Sequence, residues 1–165
     1  MRVSVVFSFK EASAVTLLNW LARENARLFR ERPQLPLLYD SGVVYQREPD
    51  QEEWGDYAHV LAQGHDDCDS LAAARAGELL ARGWKALFPG DEGYEEARRS
   101  RPASIQAEVY LKTRVPEGQT GLYHCVVRYK LAGRWFYDDP SARLGMYDGQ
   151  ISERQRERWR QAKVR

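Results

Sequence analysis

Cys68 stands in the run Gly64-His65-Asp66-Asp67-Cys68-Asp69-Ser70-Leu71, where a turn-forming polar stretch gives way to the helix-prone Ala72-Ala73-Ala74-Arg75-Ala76-Gly77-Glu78-Leu79-Leu80. That change of composition predicts a helix with Cys68 in its first turn. Unpaired N–H groups and the positive end of the helix dipole favour a thiolate there, and the thiolate is the nucleophilic form of cysteine. Asp67 and Asp69 flank the thiol and oppose its ionisation, so an active Cys68 needs a nearby cation. The competing reading is a structural cysteine beside an aspartate-rich helix cap.

His124 can supply the cation. It lies in the strand-like run Tyr123-His124-Cys125-Val126-Val127-Arg128, on the face opposite to Tyr123 and Cys125. One hairpin later comes Trp135-Phe136-Tyr137-Asp138-Asp139-Pro140-Ser141, where Pro140 stops the strand just after Asp139. A histidine on one strand and a carboxylate on its neighbour can hydrogen-bond, which fixes the imidazole tautomer and stabilises the imidazolium. Alone, a strand histidine is more often structural; the case for function rests on Cys68, His124 and Asp139 occurring together, a nucleophilic thiol with its cation.

Positioning these residues requires a mixed architecture. Val3, Val5, Phe7 and Phe9 alternate as in a half-buried strand. Ala14, Leu17, Leu18, Leu21, Leu28 and Phe29 recur at helical spacing from Glu11 to about Arg30, and Pro33 and Pro36 follow. The segment Leu37 to Tyr45 reads as an extended connection too apolar to stay solvated. Asp50 and Glu53 have capping-box spacing before a short helix marked by Trp54, Tyr57, Ala58 and Leu61 and ending near Gly64. Trp54 and Tyr57 read first as core aromatics beside Cys68. Trp54, Asp67 and Tyr123 are also candidates for the wall of a substrate cleft.

The cysteine helix is expected to run to Arg82 and close at Gly83, with Trp84 to Phe88 as a short strand. Ser104 to Val115, Leu122 to Lys130 and Arg134 to Asp138 then read as three strands, the last two as a hairpin. Helices and strands early, then an antiparallel meander, make an α+β fold. At 165 residues and 43% apolar content, one domain spanning 1–165 is expected, with its core over about 50–146. The polar segment Ile151 to Arg165 suits an exposed helix or a tail that a partner orders.

Lys+Arg 25 against Asp+Glu 24 leaves a net charge of +1, so no overall field calls for nucleic acid or an anionic membrane. The apolar part of the first nine residues is too short for a signal peptide or a membrane span. Two cysteines make no disulfide framework, no zinc quartet is spaced for binding, and no Gly-rich phosphate loop follows a strand. No cofactor is therefore expected. A metal site from His65, Asp66, Asp67 and Asp69 is allowed by composition, although adjacent side chains rarely converge. The expected setting is a reducing cytoplasm, or a particle assembled in it.

Taken in order, Gly64-x-x-x-Cys68-x-Ser70-Leu71-Ala72, the strand histidine His124 and the aromatic strand closing in Asp139-Pro140-Ser141 resemble the transglutaminase-like branch of the papain-type cysteine peptidases. The resemblance covers roughly Trp54 to Met146. It implies a papain/transglutaminase-like fold in which a helix-borne cysteine packs on an antiparallel sheet. It further implies that Cys68 attacks an amide carbonyl, His124 carries the proton and Asp139 orients His124. The backbone N–H of Cys68, or Gln63 by similarity to the papain-type glutamine, would hold the oxyanion. The family often has tryptophan and glutamate soon after its histidine, whereas Cys125, Val126, Val127 and Arg128 follow here.

The segments Pro33 to Val43 and Asp139 to Met146 are also similar to small proteins of this kind carried by tailed phages and prophages, which implies work on or around a phage particle. Three functions are thus expected in turn: hydrolysis of a peptide or isopeptide amide, a structural or assembly role in a phage-like particle whose other proteins the C-terminal segment contacts, and cross-linking by acyl transfer to an amine.

Overall fold

Eleven consecutive residues, Asp69 to Leu79, are buried in one helix, α3 (Cys68–Arg82). A helix buried on every side must be narrow, and Ala72, Ala73, Ala74, Ala76 and Gly77 make it so. The computed structural model describes residues 11–47, 54–113 and 123–146. The expected strand over 3–9, the capping box at Asp50 and Glu53 and the polar segment 151–165 lie outside the described residues.

Helix α1 (Glu11–Glu31) packs along α3 with its backbone close. A Cβ added at Gly77 would fall 2.6 Å from the Asn25 Cβ and 2.9 Å from the Ala22 carbonyl oxygen, so only glycine fits. The opposite side of α3 packs on β3 (Gln106–Thr113) and β4 (Tyr123–Leu131). Leu18, Ala73, Ala76, Leu79, Val109, Val127 and Tyr129 join these layers in one core. The Asn19 amide of α1 gives 3.1 Å to the Val109 carbonyl and receives the Val109 N–H at 2.9 Å, so a side chain serves β3 where a further strand would.

The three-stranded antiparallel sheet has the order β3-β4-β5, with β5 at Arg134–Asp138. Ala132 and Gly133, at φ 43° and 83°, make a two-residue turn of the type whose twist suits a hairpin. β5 pairs with β4 only from Leu131↔Arg134 to Val127↔Asp138, whereas β3 follows β4 to Tyr123. Among the described residues, the first residues of β4 therefore have a strand on one side and none on the other. Helix α5 (Pro140–Arg143) begins where β5 stops, capped by Asp139.

A second, parallel pair positions the approach to Cys68. β1 (Val44–Tyr45) pairs with β2 (His65–Asp66), immediately before α3. Helix α2 (Tyr57–Gln63) ends at Gly64, whose φ of 76° turns the chain into β2. The cap of α2 is Asp56, which accepts the His59 N–H at 2.9 Å.

The α+β arrangement is as expected, and four local expectations change. Trp84 to Phe88 is not a strand: Gly83–Ala86 is a 3-10 turn, with the Trp84 N–H bonded to the Pro102 carbonyl and the Leu87 N–H to that of Trp84. Leu37 to Tyr45 is not one extended connection, because Leu38–Asp40 forms another 3-10 turn before β1. Asp139 lies one residue beyond its strand. Tyr57 packs not beside Cys68 but on Phe29, 4.8 Å between ring centroids, in a second core with Leu38, Val60 and Leu71. A short helix α4 (Tyr94–Ser100) occupies the charged run before β3. Among the described residues, no helix is long and apolar enough to cross a membrane.

Arg75 locks α3 to the rest. Fully buried, it donates at 2.8 Å to Asp138 of β5, at 2.8 Å to Glu78, at 3.3 Å to Asp91 and at 2.7 Å to the Ala86 carbonyl. Arg143 of α5 adds a second cation, 2.6 Å from Asp91 and 3.8 Å from the Tyr39 ring centre. Burial alone would push the Asp138 carboxyl up, but the charges of Arg75 and Arg143 outweigh it and hold that carboxyl below its ordinary range. Replacing Arg75 by methionine leaves these carboxylates buried with too little positive charge. Arg75→Met is expected to lose about 3–5 kcal/mol of stability in urea denaturation; a loss under about 1 kcal/mol would show that the network is not what ties α3 to β5.

Candidate active site

Cys68 is the first residue of α3, and the turn before it is built by carboxylates. Asp67 is the cap and accepts the Asp69 N–H at 3.3 Å; Asp66 accepts the Asp67 N–H at 2.9 Å; Asp69 accepts the N–H of Ser70 at 2.6 Å. The Ser70 hydroxyl accepts the Gly55 N–H at 3.1 Å, which ties the entry to α2 onto this turn. The aspartates thus serve as acceptors for backbone N–H groups. Cys68 itself is half-buried and packs against the main core.

His124 and Asp139 meet beyond the end of β5. The His124 Nε2 lies 2.8 Å from the Asp139 Oδ2, with the histidine side chain 13% and the aspartate 30% exposed. The other carboxylate oxygen of Asp139 accepts the Ala142 N–H at 3.0 Å and so caps α5. One carboxylate holds both the imidazole and the helix that turns the chain away. Asparagine could cap α5 with its one oxygen, but it would turn an uncharged NH2 toward Nε2 and so would not stabilise an imidazolium. With Nε2 engaged, Nδ1 is the nitrogen that faces Cys68. It is buried with no hydrogen-bond partner among the described residues, and Cys68 is its ionisable neighbour.

The thiol and the imidazole shift each other's ionisation. The Cys68 thiol is drawn down to about 6: the Cys125 thiol beside its sulfur has the largest effect, burial opposes it, and His124 and the Cys125 backbone N–H add to the lowering. Asp67 pushes the other way and is outweighed. His124 is raised to about 9, first by its hydrogen bond to Asp139 and then by Cys68, against burial. Between these values the pair is thiolate and imidazolium, the form that attacks carbonyl carbon and then protonates a leaving amine.

The part played by Cys125 follows from sheet register. In an antiparallel pair, alternate residues exchange both backbone hydrogen bonds, and the two-residue turn makes Leu131 and Arg134 such a pair. Counting back by twos, Tyr129 and Val127 direct their N–H groups to β5, and Cys125 directs its own to the side where β5 is absent. The N-terminus of α3 brings the Cys68 sulfur there. Cys125 is the functional residue missed in the sequence, where it registers only as a departure after His124. Its signal is the period of two: a residue next to a strand histidine, on the inner face of the sheet, faces the helix that packs there.

The remaining candidates separate. Trp54 packs on the same core cluster as Cys68, whereas Tyr57 does not. Gln63 is at the exposed end of α2, with its amide against the His59 ring. Asp67 is buried beneath Cys68 as the helix cap rather than standing out as a wall. Tyr123 begins β4, paired with Thr113, and its side chain lies outside the described residues. The carboxylates of Asp66, Asp67 and Asp69 converge to within 4.8 Å of one another, contrary to the expectation for adjacent residues, and His65 is not among them.

These shifts make a kinetic prediction. A lowered thiol pKa leaves thiolate present above about 6 and removes it as pH falls through that value. Iodoacetamide should label Cys68 with a midpoint near pH 6, and His124→Ala or Cys125→Ala should each move that midpoint up toward ~8.5, the value of a free thiol. The check is the pH dependence of the alkylation rate read by peptide mass; a native midpoint at the free-thiol value would refute the pairing.

Compared with family models, with curated proteins and with solved structures, the chain shows no match.

Proposed function

We propose that this chain is a cysteine-dependent amide hydrolase with Cys68 as nucleophile, His124 as general acid and base, and Asp139 as the group that orients His124. One observation carries the reading: a half-buried cysteine at a helix start faces an imidazole whose far nitrogen is held by a carboxylate at 2.8 Å. The helix-borne cysteine packed on an antiparallel sheet supports the papain/transglutaminase-like fold that the sequence resembles.

In the first step the Cys68 thiolate adds to the amide carbonyl carbon. Charge builds on the carbonyl oxygen, and the Cys68 backbone N–H at the positive end of α3 is the donor assigned to it. Gln63 is the less favoured donor, because its amide is occupied by His59. The His124 imidazolium protonates the departing amine, the C–N bond breaks, and a thioester remains on Cys68. Water then attacks this thioester, giving its proton to the neutral imidazole; the acid leaves and the thiolate–imidazolium pair returns. The substrate class is a peptide or isopeptide amide, and the resemblance of segments 33–43 and 139–146 to small phage-borne proteins favours work on or around a phage particle.

Full-length chain is to be incubated with peptide vinyl sulfones, which trap papain-type thiolates, and with short peptide amides and isopeptides. Cys68 should become covalently modified, and His124→Ala should slow the reaction by about 10²–10⁴-fold. Across pH, turnover should follow a bell with limbs near 6 and 9, the two values belonging to the coupled pair. Release of acid in water supports hydrolysis; products joined to an added amine would instead make the enzyme a cross-linker. Labelling of Cys68 that ignores His124→Ala, with no peptide cleaved, would leave the assembly role in its place.

A further inference from the structure

Hydrolysis forms a bond to only one of the two sulfurs at this site. Cys125 is 4% exposed, belongs to the core cluster against which Cys68 packs, and approaches the Cys68 sulfur with both its thiol and its backbone N–H. A second thiol beside a nucleophilic one is not required for acyl transfer. We propose that Cys68 and Cys125 form a peroxide-reactive dithiol, in which Cys68 is oxidised first and Cys125 resolves it as a reversible intramolecular disulfide.

The step balances with hydrogen peroxide as the oxidant. The Cys68 thiolate attacks one peroxide oxygen, the O–O bond breaks, and Cys68 becomes a sulfenic acid; the departing hydroxide takes the His124 proton and leaves as water. The Cys125 sulfur then attacks the Cys68 sulfur. The S–O bond breaks, and the second hydroxide takes the Cys125 proton to give another water. Two thiols have lost two electrons, and one peroxide has gained them.

The geometry assigns the order of events. Cys68 is reached from solvent, whereas Cys125 faces inward on β4. While Cys68 is a thiolate, its charge and burial hold Cys125 protonated and unreactive. Conversion of Cys68 to the neutral sulfenic acid removes that charge, so Cys125 gains nucleophilicity only once there is a sulfur to resolve. The shared core and the Arg75–Asp138 pair keep α3 seated on β4, so the two sulfurs meet without unfolding. The disulfide would silence the nucleophile and shield it from irreversible oxidation.

This inference rests on the thiolate of Cys68 and not on any amide substrate, so its test uses none. Native full-length chain is treated with a small excess of hydrogen peroxide, and thiols, intact mass and mapped peptides are followed. Both thiols should disappear together in chains two hydrogens lighter, with the peptides of Cys68 and Cys125 joined within one chain. Dithiothreitol should restore iodoacetamide labelling completely. In Cys125→Ser, Cys68 should instead gain two oxygens and stay unlabelled after dithiothreitol. Native chains that carry oxygens on Cys68 while Cys125 remains free, or that join only between molecules, would overturn the proposal. Should Cys125→Ser fail to fold, the peptide map of the native chain decides alone. A chain that forms the internal bond yet cleaves no peptide would remove the hydrolase reading and keep this one; a chain that cleaves peptides and forms no such bond would do the reverse.

Discussion

The guanidinium of Arg75 sits at 0% exposure in the middle of α3 and reaches Asp138, the residue before Asp139. A buried cation is costly, and it is tolerated here because carboxylates and a carbonyl satisfy it from three directions. The arrangement is informative for what it joins. Cys68 lies about two turns earlier on the same helix, and Asp139 and α5 lie next along the chain from Asp138. One ion pair therefore sets the spacing between the element that carries the thiol and the element that orients the imidazole. Apolar packing alone could let α3 slide along the sheet, because alanine faces present little relief. The directional bonds of Arg75 remove that freedom, and the close approach at Gly77 presses α1 against the other side.

The shortness of β5 is the second constraint. Had that strand continued, its backbone would have paired with Cys125 and filled the place of the Cys68 sulfur. Pro140 prevents this, since it has no N–H to give a ladder, and Asp139 turns the stop into the start of α5 while keeping one oxygen for His124. A strand end, a helix cap and the orientation of an imidazole are thus three results of one Asp-Pro step. Where β5 stops, the Cys125 N–H of β4 faces a sulfur that benefits from a donor.

Much of this was legible in the sequence where the signal is local. The bounds of α3 follow from Asp67, the alanine run and Gly83, all within one stretch. The three strands follow from alternation, and the closeness of His124 to Asp139 follows from a tight hairpin and a proline. What escaped depends on contacts distant in sequence. Trp84 to Phe88 has the composition of a strand, but its backbone bonds to Pro102 and to itself instead of to a sheet. Tyr57 is spaced to share a face with Trp54, yet Asn25 accepts its N–H at 2.8 Å and draws it under α1. Arg75 stands inside the alanine-rich run that sets the helix, and nothing nearby announces that Asp91 and Asp138 will meet it in the core. Cys125 was visible as a residue but not as a neighbour of Cys68, because that requires knowing which face of β4 receives α3.

The two sulfurs show why a reactive site cannot be tuned in one property at a time. Aspartates at the start of α3 make a well-capped helix and a less acidic thiol, and Asp67 still acts against the Cys68 thiolate. The fold offsets this with donors: an imidazolium held by Asp139, a backbone N–H released by the end of β5, and a second thiol. A thiol is by nature a weaker donor than an imidazolium or an amide N–H, yet Cys125 has the largest effect of the three on the Cys68 thiol, and an oxygen in its place would donate better. Sulfur differs from oxygen in a further respect, since it can exchange its proton for a bond to the neighbouring sulfur. The proximity that lets Cys125 lower the Cys68 pKa is the same proximity that a disulfide requires, and a fold that uses the first holds the second ready.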